Sequence, residues 1–108
     1  MLTFASDLEN NIINPLNFTD MMSNEQVIKN FVNGKSGKSL SMTSTGDKLY
    51  SYYTIIAQRT AEGKVLMNST KYSVTTSKQQ TLARYHIGNY VSTTQSVPRG
   101  TTDLTRYL

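Results

Sequence analysis

The segment KYSVTTSK, from Lys71 to Lys78, combines the side chains best suited to hold an anion. A Lys ammonium neutralises a phosphate charge, and Ser and Thr hydroxyls donate hydrogen bonds to phosphate oxygens. A Tyr among them can stack on a base or pack against the protein. The residues that we assign to such a site are Lys71, Tyr72, Thr75, Thr76, Ser77 and Lys78, with Arg59 and Arg84 as basic neighbours. Alternatively, the hydroxyls only cap a helix and close a turn, and no ligand is bound.

Positive charge is concentrated in the part of the chain that contains this segment. The formal net charge is +4. Residues 1–30 carry one Lys against four carboxylates, whereas residues 31–108 carry ten Lys and Arg against three carboxylates. A basic excess interleaved with Tyr and Thr suits a polyanion such as nucleic acid, while solvated Lys and Arg also serve solubility alone. Both interpretations stay open from composition.

The side chains needed for catalysis or metal binding are scarce. The sequence has no Cys and a single His, His86, which excludes thiol catalysis, disulfides and a multi-His metal site within one chain. A Ser-His-Asp arrangement would need His86 to be oriented by Asp47 or Asp103. A lone His just before Gly88 is more typical of a helix C-terminus, where its charge suits the helix dipole. We therefore predict a non-enzymatic protein without metal or cofactor.

A Gly-Lys-Ser sequence at Gly37–Ser39 invites comparison with phosphate-binding loops. The Walker pattern requires Gly five residues before Gly37, where this chain has Val32. The pattern also requires a strand before the loop and a helix after it, whereas the predicted order here is the reverse. The comparison excludes nucleotide hydrolysis and predicts a flexible basic linker over residues 34–39, with contact to a phosphate backbone as a lesser alternative.

Capping signals and apolar periodicity predict two helices. The segment Ser23–Gly34 starts with a capping-box spacing, Ser-x-x-Gln, continues with apolar residues at helical spacing and ends in Asn-Gly. Thr76 and Gln79 have the same capping-box spacing ahead of helix-forming residues. This second helix runs to Ile87 and stops at Gly88.

Alternating and β-branched segments between the two helices predict three antiparallel strands joined by Gly-containing turns. The three strands are Leu40–Ser44, Leu49–Gln58 and Lys64–Lys71, and Asn89–Val97 can add a fourth. We predict an α+β fold in the order α-β-β-β-α, with a further β at the end when the fourth strand forms. In this fold a three- to four-stranded antiparallel sheet carries the helices on one face.

Both faces of the middle strand, Leu49–Gln58, carry apolar side chains. We expect helices to cover one face and the C-terminal segment or a partner to cover part of the other. Tyr50 and Tyr52 are expected to pack across strands. The segment 99–108 is either docked through its apolar residues or flexible, and the same residues suit a contact in a homodimer.

The length of 108 residues suits one domain, preceded by an N-terminal segment 1–22 in which Asp7–Ile13 can form a short helix. No apolar stretch reaches membrane-spanning length. The first ten residues also lack the basic start and apolar middle of a signal peptide. We therefore expect a cytoplasmic protein without a membrane partner.

The predicted order of helix, three antiparallel strands and helix resembles that of the double-stranded-RNA-binding domain. In that family the last helix begins with a basic, Ser-Lys-containing segment on the phosphate backbone, and Thr76–Gln80 occupies this place here. The chain departs from the family by having one Lys at the helix start and Ser44–Asp47 in place of a Gly-Pro-His-type loop. The resemblance is architectural and implies a phosphate site at the helix start.

A second resemblance covers residues 49–80. The stretches Tyr50–Ala57, with the pattern SYxTxIA, and Lys71–Gln80, with the pattern KYSxTTSKxQ, are similar to those of small proteins carried by bacteriophages and other mobile elements. This resemblance implies an accessory protein that acts on host or element macromolecules. Anti-CRISPR proteins have this size and lack catalytic residues, so the alternative partner is a nucleic-acid-processing protein. Docking on its basic groove would need an acidic surface, and the acidic stretch here is Asp7–Glu25.

Overall fold

The structure is a computed structural model that describes residues 22–108. The predicted helix Asp7–Ile13 and most of the acidic stretch Asp7–Glu25 lie outside the described residues. Within residues 22–108, no helix is both long enough and apolar enough to cross a membrane.

Helix α1 spans Asn24–Val32 and begins where the sequence predicts. Ser23 is its N-cap, because the Ser23 Oγ atom accepts a hydrogen bond of 3.1 Å from the Gln26 amide. This bond satisfies one of the free N–H groups of the first turn. The residues buried on one stripe of the helix are Val27, Ile28 and Phe31. Their burial removes a continuous apolar face from water and holds α1 on the sheet.

The sheet has six strands whose spatial order equals their order in the chain. The strands are β1 Ser36–Lys38, β2 Met42–Thr45, β3 Lys48–Ser51, β4 Thr54–Arg59, β5 Val65–Met67 and β6 Val91–Ser92. Neighbours from β1 to β5 pair antiparallel, whereas β6 lies parallel to β5. A parallel pair needs a crossover connection, and helix α2, Val74–Ile87, supplies it.

The predicted α+β class is confirmed, but the strand count, the purely antiparallel pairing and the element order are wrong. The expected linker at residues 34–39 contains β1, whose Gly37 packs against α1: an added Cβ would lie 3.0 Å from Asn30 Nδ2. The expected middle strand Leu49–Gln58 is two strands, β3 and β4, separated by a turn at Tyr52 and Tyr53. The expected fourth strand shrinks to two residues and pairs parallel.

Helix α2 begins earlier than predicted. Ser73, and not Thr76, is the N-cap: its Oγ atom accepts a hydrogen bond of 3.1 Å from the Thr76 amide. The predicted stop is correct, because α2 ends at Ile87 and Gly88 follows with φ 81°, a backbone conformation that favours Gly.

Two apolar clusters lie on the two faces of the sheet. The first joins both helices to the sheet through Val27, Ile28, Phe31, Met42, Leu49, Ile56, Ala57, Met67 and Ala83. The second covers the other face and comprises Ile55, Leu66, Val97 and Leu104, with Tyr50 and Tyr107 packed against it. A 3-10 helix, Leu104–Tyr107, brings Leu104 and Tyr107 to this face. The segment after α2 therefore covers the face that the helices leave open.

One end of the sheet carries the Tyr52–Tyr53 turn, and we call it the tyrosine end. The loop Ser39–Ser41 lies beside this turn, because the Tyr52 amide donates a hydrogen bond of 2.7 Å to the Ser41 carbonyl oxygen. The start of α2 lies there as well, since the hydroxyls of Ser51 and Thr76 are 3.3 Å apart. The connections β2–β3 and β4–β5 lie at the opposite end.

Candidate nucleic-acid interface

An open groove of ≈ 480 Å³ lies beside the first turns of α2. Its walls bring together Lys71, Tyr72, Ser73, Val74, Ser77, Lys78 and Thr81. We call it the α2 groove. Four of the residues assigned to a site from the sequence, including both lysines, therefore line one surface.

Helical spacing explains why these side chains share a wall. Val74, Ser77, Lys78 and Thr81 are separated by three or four residues, so they lie on one face of α2. The opposite face is buried through Gln79, Gln80 and Ala83, among others. Lys71 precedes the helix by three residues and closes the groove at the helix start.

Thr76 and Gln79 hold α2 to the tyrosine end and do not face the α2 groove. Thr76 is buried, and its hydroxyl lies 3.1 Å from Ser73 Oγ and 3.3 Å from Ser51 Oγ. The Gln79 Nε2 atom donates a hydrogen bond of 2.9 Å to Ser41 Oγ. The predicted role of Thr76 as a hydroxyl donor to phosphate therefore conflicts with its position, because the protein already uses that hydroxyl internally.

Tyr72 is a structural wall of the α2 groove. Its hydroxyl accepts a hydrogen bond of 3.0 Å from Asn68 Nδ2 and donates one to the Val97 carbonyl oxygen. The guanidinium of Arg99 lies over the ring, 5.0 Å from its centroid. Tyr72 thus has a packing role, and Arg99 supplies a cation that lies over its ring. Sequence reasoning missed Arg99, because nothing in the sequence links it to Tyr72.

Thr75 and Arg84 lie on α2 outside the lining of the α2 groove. Thr75 is exposed in the first turn, and Arg84 is half-buried. Arg84 follows Ser77 by seven residues, which places it on the same helix face about 10 Å further along the axis. It extends the positive charge of the groove toward the end of the helix.

Arg59 does not belong to this surface. It ends β4, at the opposite end of the sheet, where its guanidinium donates hydrogen bonds to the carbonyl oxygens of Phe31 at 2.6 Å and Gly46 at 2.5 Å. It also lies 4.7 Å from the centroid of the Phe31 ring. Asp47 is 4.0 Å away. Arg59 satisfies free carbonyl groups at the C-terminus of α1, and the structure does not bring it together with the other predicted site residues.

A second hollow of ≈ 390 Å³ adjoins the α2 groove. It is lined by Ser69, Thr70, Lys71, Thr93, Thr94, Gln95 and Ser96. Lys71 lines both hollows, so it lies between two sets of hydroxyl-bearing residues. The segment 93–96 was predicted as part of a strand, and only the parallel pairing of β6 brings its hydroxyls to Lys71.

Carboxylates are kept away from both hollows in the part of the chain that the structure describes. Glu25 pairs with His86, with 2.9 Å between Oε2 and Nε2. The other three carboxylates lie toward the opposite end of the sheet. Asp47 is in the β2–β3 connection, and Glu62 is in the β4–β5 connection. Asp103 accepts a hydrogen bond from Gln58 Nε2 at 3.1 Å. Among the described residues, the carboxylate that contacts His86 is therefore Glu25, and not Asp47 or Asp103 as the Ser-His-Asp alternative requires.

Asp103 is held in its ionised form. The Thr105 hydroxyl donates to Asp103 Oδ1 at 2.7 Å and the Thr105 amide at 3.0 Å. These two hydrogen bonds, followed by the one from Gln58, lower the pKa of the Asp103 carboxyl below its ordinary value. Asp103 is thereby the N-cap of the 3-10 helix and a structural group. Within residues 22–108 no cluster of three or more potential metal ligands occurs.

Comparison with curated proteins and with solved structures yields no match. One family model does match, over residues 16–103, and it describes a family of unknown function, DUF8033. The match spans most of the chain, including both hollows and, within residues 22–108, every strand and helix except the final 3-10 helix. The chain belongs to this family.

Proposed function

We propose that the protein is a non-enzymatic nucleic-acid-binding protein and that the α2 groove is its phosphate-binding surface. The observation that carries the proposal is that Lys71 and Lys78 line one groove, whose walls within residues 22–108 contain hydroxyls and no carboxylate, while Arg99 lies over the ring of Tyr72, one of those walls. Like charges that approach without a compensating carboxylate raise the local positive potential, and a polyanion relieves their repulsion.

Each part of the surface has a distinct role in this proposal. Lys71 contacts phosphate from a position shared by the two hollows, and Lys78 contacts the next phosphate along α2. Ser77 and the exposed Thr75 donate hydrogen bonds to phosphate oxygens. Arg84 lengthens the contact along the helix. The burial of Thr76 confines its role to positioning the helix start.

The resemblance of residues 50–57 and 71–80 to small proteins of bacteriophages and mobile elements supports a setting for this function. An accessory protein of such an element meets host or element nucleic acid in the cytoplasm. The second matching stretch, KYSxTTSKxQ, contains Lys71, Ser77 and Lys78. The resemblance therefore falls on the residues to which the groove assigns phosphate contacts.

The test compares binding of fluorescent DNA and RNA oligonucleotides at two salt concentrations, by fluorescence anisotropy. We expect the wild-type affinity to fall steeply with salt, because phosphate contacts release counterions. The K71E/K78E variant should bind at least a hundredfold more weakly at low salt, with a salt slope lower by about 2.

A matched control separates this site from net charge. The K35E/K64E variant makes the same charge change at two exposed lysines toward the opposite end of the sheet. It should lose far less affinity than K71E/K78E. Equal losses in the two variants would leave only a diffuse electrostatic attraction and would contradict the proposal.

A second candidate function is a protein inhibitor of host nuclease-based immunity. The observation in its favour is the group of exposed large apolar side chains at the tyrosine end, a composition that also suits a protein interface. Purified RNA-guided nuclease, with and without this protein, measures the effect on DNA cleavage. Inhibition that survives the K71E/K78E substitutions would favour contact with the nuclease over contact with nucleic acid.

A further inference from the structure

The Tyr52–Tyr53 turn exposes two aromatic rings on a backbone that tyrosine rarely adopts. Ser51 pairs with Thr54, so Tyr52 and Tyr53 form a two-residue hairpin loop between β3 and β4. Tyr52 has φ 56°, and among residues 22–108 it is the one non-glycine residue with positive φ. Gly, Asn or Asp usually fills such a position because a bulky side chain there is strained. The fold nevertheless presents Tyr53 at 90% and Tyr52 at 57% exposure.

Other exposed side chains join these rings to the α2 groove. Leu40, 84% exposed, lies in the loop whose Ser41 carbonyl oxygen accepts the Tyr52 amide hydrogen bond. Val74 is exposed in the first turn of α2 and lines the groove. The contact between Ser51 and Thr76 places the hairpin loop against that same turn. The Tyr52–Tyr53 turn and the first turn of α2, which carries Val74 of the groove, therefore lie side by side at the tyrosine end.

Charge decides what this surface can accept. Of the four carboxylates that the structure describes, three lie toward the opposite end of the sheet, and Glu25 is paired with His86. The tyrosine end thus combines exposed aromatic rings with Lys71 and Lys78, which have no carboxylate partner within residues 22–108. A positively charged groove beside exposed aromatic side chains is the arrangement by which proteins hold single strands, with phosphates in the groove and bases on the rings.

We infer that the preferred ligand is single-stranded nucleic acid, whose unpaired bases stack on Tyr52 and Tyr53 while its phosphates follow Lys71 and Lys78. A duplex offers phosphates to the lysines but keeps its base faces inside the stack, so it leaves both rings without a partner. This inference rests on the proposed function, since it identifies the class of nucleic acid that the α2 groove takes.

The experiment compares wild-type protein, Y52N/Y53S and K71E/K78E on three probes: a single-stranded 12-mer DNA, the same sequence as a duplex, and heparin, a polyanion without bases. The wild type should bind the single strand at least tenfold more tightly than the duplex. The Y52N/Y53S variant should lose at least tenfold on the single strand and little on heparin. Asn tolerates the positive φ of Tyr52, so this variant should keep the thermal stability of the wild type.

The control for the Tyr52–Tyr53 turn is Y85S, which removes another exposed tyrosine, located in the last turn of α2. It should retain single-strand affinity. A wild-type preference for duplex, an unchanged single-strand affinity in Y52N/Y53S, or an equal loss in Y85S would each overturn the inference and leave the proposed function intact. The proposed function itself fails in a different way, when K71E/K78E binds every probe as the wild type does.

Intrinsic fluorescence supplies an independent readout. The chain has no Trp, so its emission comes from tyrosines. Base stacking on Tyr52 and Tyr53 should quench part of this emission when the single strand is added, and Y52N/Y53S should lose that quenching. Binding without quenching in the wild type would contradict stacking.

Discussion

At the scale of single residues, the surroundings decide whether a basic side chain is open to a ligand or is used by the protein itself. Lys71 and Lys78 line an open groove without an internal partner among the described residues. Arg59 instead donates to backbone carbonyl oxygens and covers the Phe31 ring. The sequence presents all three as cations near hydroxyls or aromatic residues. Only the fold decides which charge is left for a ligand, because the distinction depends on distant carbonyl groups.

Arg59 therefore gives a prediction about stability. The R59A variant leaves the carbonyl oxygens of Phe31 and Gly46 without these donors and uncovers an aromatic face. We expect the free energy of unfolding to fall by about 2 kcal/mol. Urea denaturation measures it, with K64A, an exposed lysine at the same end of the sheet, as the control expected to stay within about 0.5 kcal/mol.

The same variant separates structure from binding. Because Arg59 lies at the far end of β4 from the α2 groove, folded R59A should bind single-stranded DNA with wild-type affinity. A stable R59A protein with weakened binding would return Arg59 to the ligand surface.

At the scale of elements, the local signals in the sequence give the helices well and the sheet poorly. The N-cap at Ser23 and the stop at Gly88 are local features, and both are confirmed, although the Gln26 side chain donates to Asn30 Oδ1 and does not complete the predicted capping box. The Tyr52–Tyr53 turn contains none of the Gly, Asn or Asp residues that usually mark a two-residue hairpin loop. The β-branched and aromatic run from Leu49 to Gln58 therefore predicts one strand where there are two. The parallel pairing of β6 depends on α2 as a crossover, which no local pattern reveals.

The candidate site was predictable to a similar extent. Lys71, Ser77 and Lys78 were found because a short segment carries them together. Arg99 contacts the ring of Tyr72, which lines the groove. Residues 93–96 line the second hollow together with Lys71. These contacts span more than twenty residues, beyond any signal of spacing.

The start of α2 provides a test at this scale. Two hydroxyls compete for the cap: the sequence favours Thr76, and the structure has Ser73. The S73A variant removes the acceptor of the Thr76 amide and should cost about 1 kcal/mol of stability. T75A, an exposed change in the same turn, should cost nothing measurable. Thermal and urea unfolding of both variants check this, and an unaffected S73A would contradict the assignment of the cap.

At the scale of the whole molecule, the two ends of the sheet differ in what their polar and aromatic side chains contact. The tyrosine end gathers exposed aromatic rings and, as far as the described residues 22–108 show, lysines without a carboxylate partner. The opposite end uses its charges on the protein itself, through Arg59 and Asp103. The second apolar cluster links the ends, because the segment that supplies Val97 and Leu104 also carries Arg99. Docking of the C-terminal segment therefore covers the sheet and also places Arg99 over the Tyr72 ring.

Asp103 connects that docked segment to the sheet through a hydrogen bond from Gln58. The free energy of unfolding of the protein should therefore depend on pH. Hydrogen bonds from Thr105 and Gln58 lower the folded-state pKa of the Asp103 carboxyl, so folding is favoured when the carboxyl is ionised. This contribution is complete above the unfolded-state pKa, about 3.9 for Asp, and disappears as the pH falls through the lower folded-state pKa. The D103N variant should therefore be less stable than the wild type at pH 7, and the difference should shrink below pH 4.

T105A removes the largest cause of the lowered Asp103 pKa, so D103N/T105A should lose less stability than the sum of the single variants at pH 7. Urea denaturation of the four proteins across this range measures both effects, and a difference that grows as the pH falls would contradict the role given to Asp103.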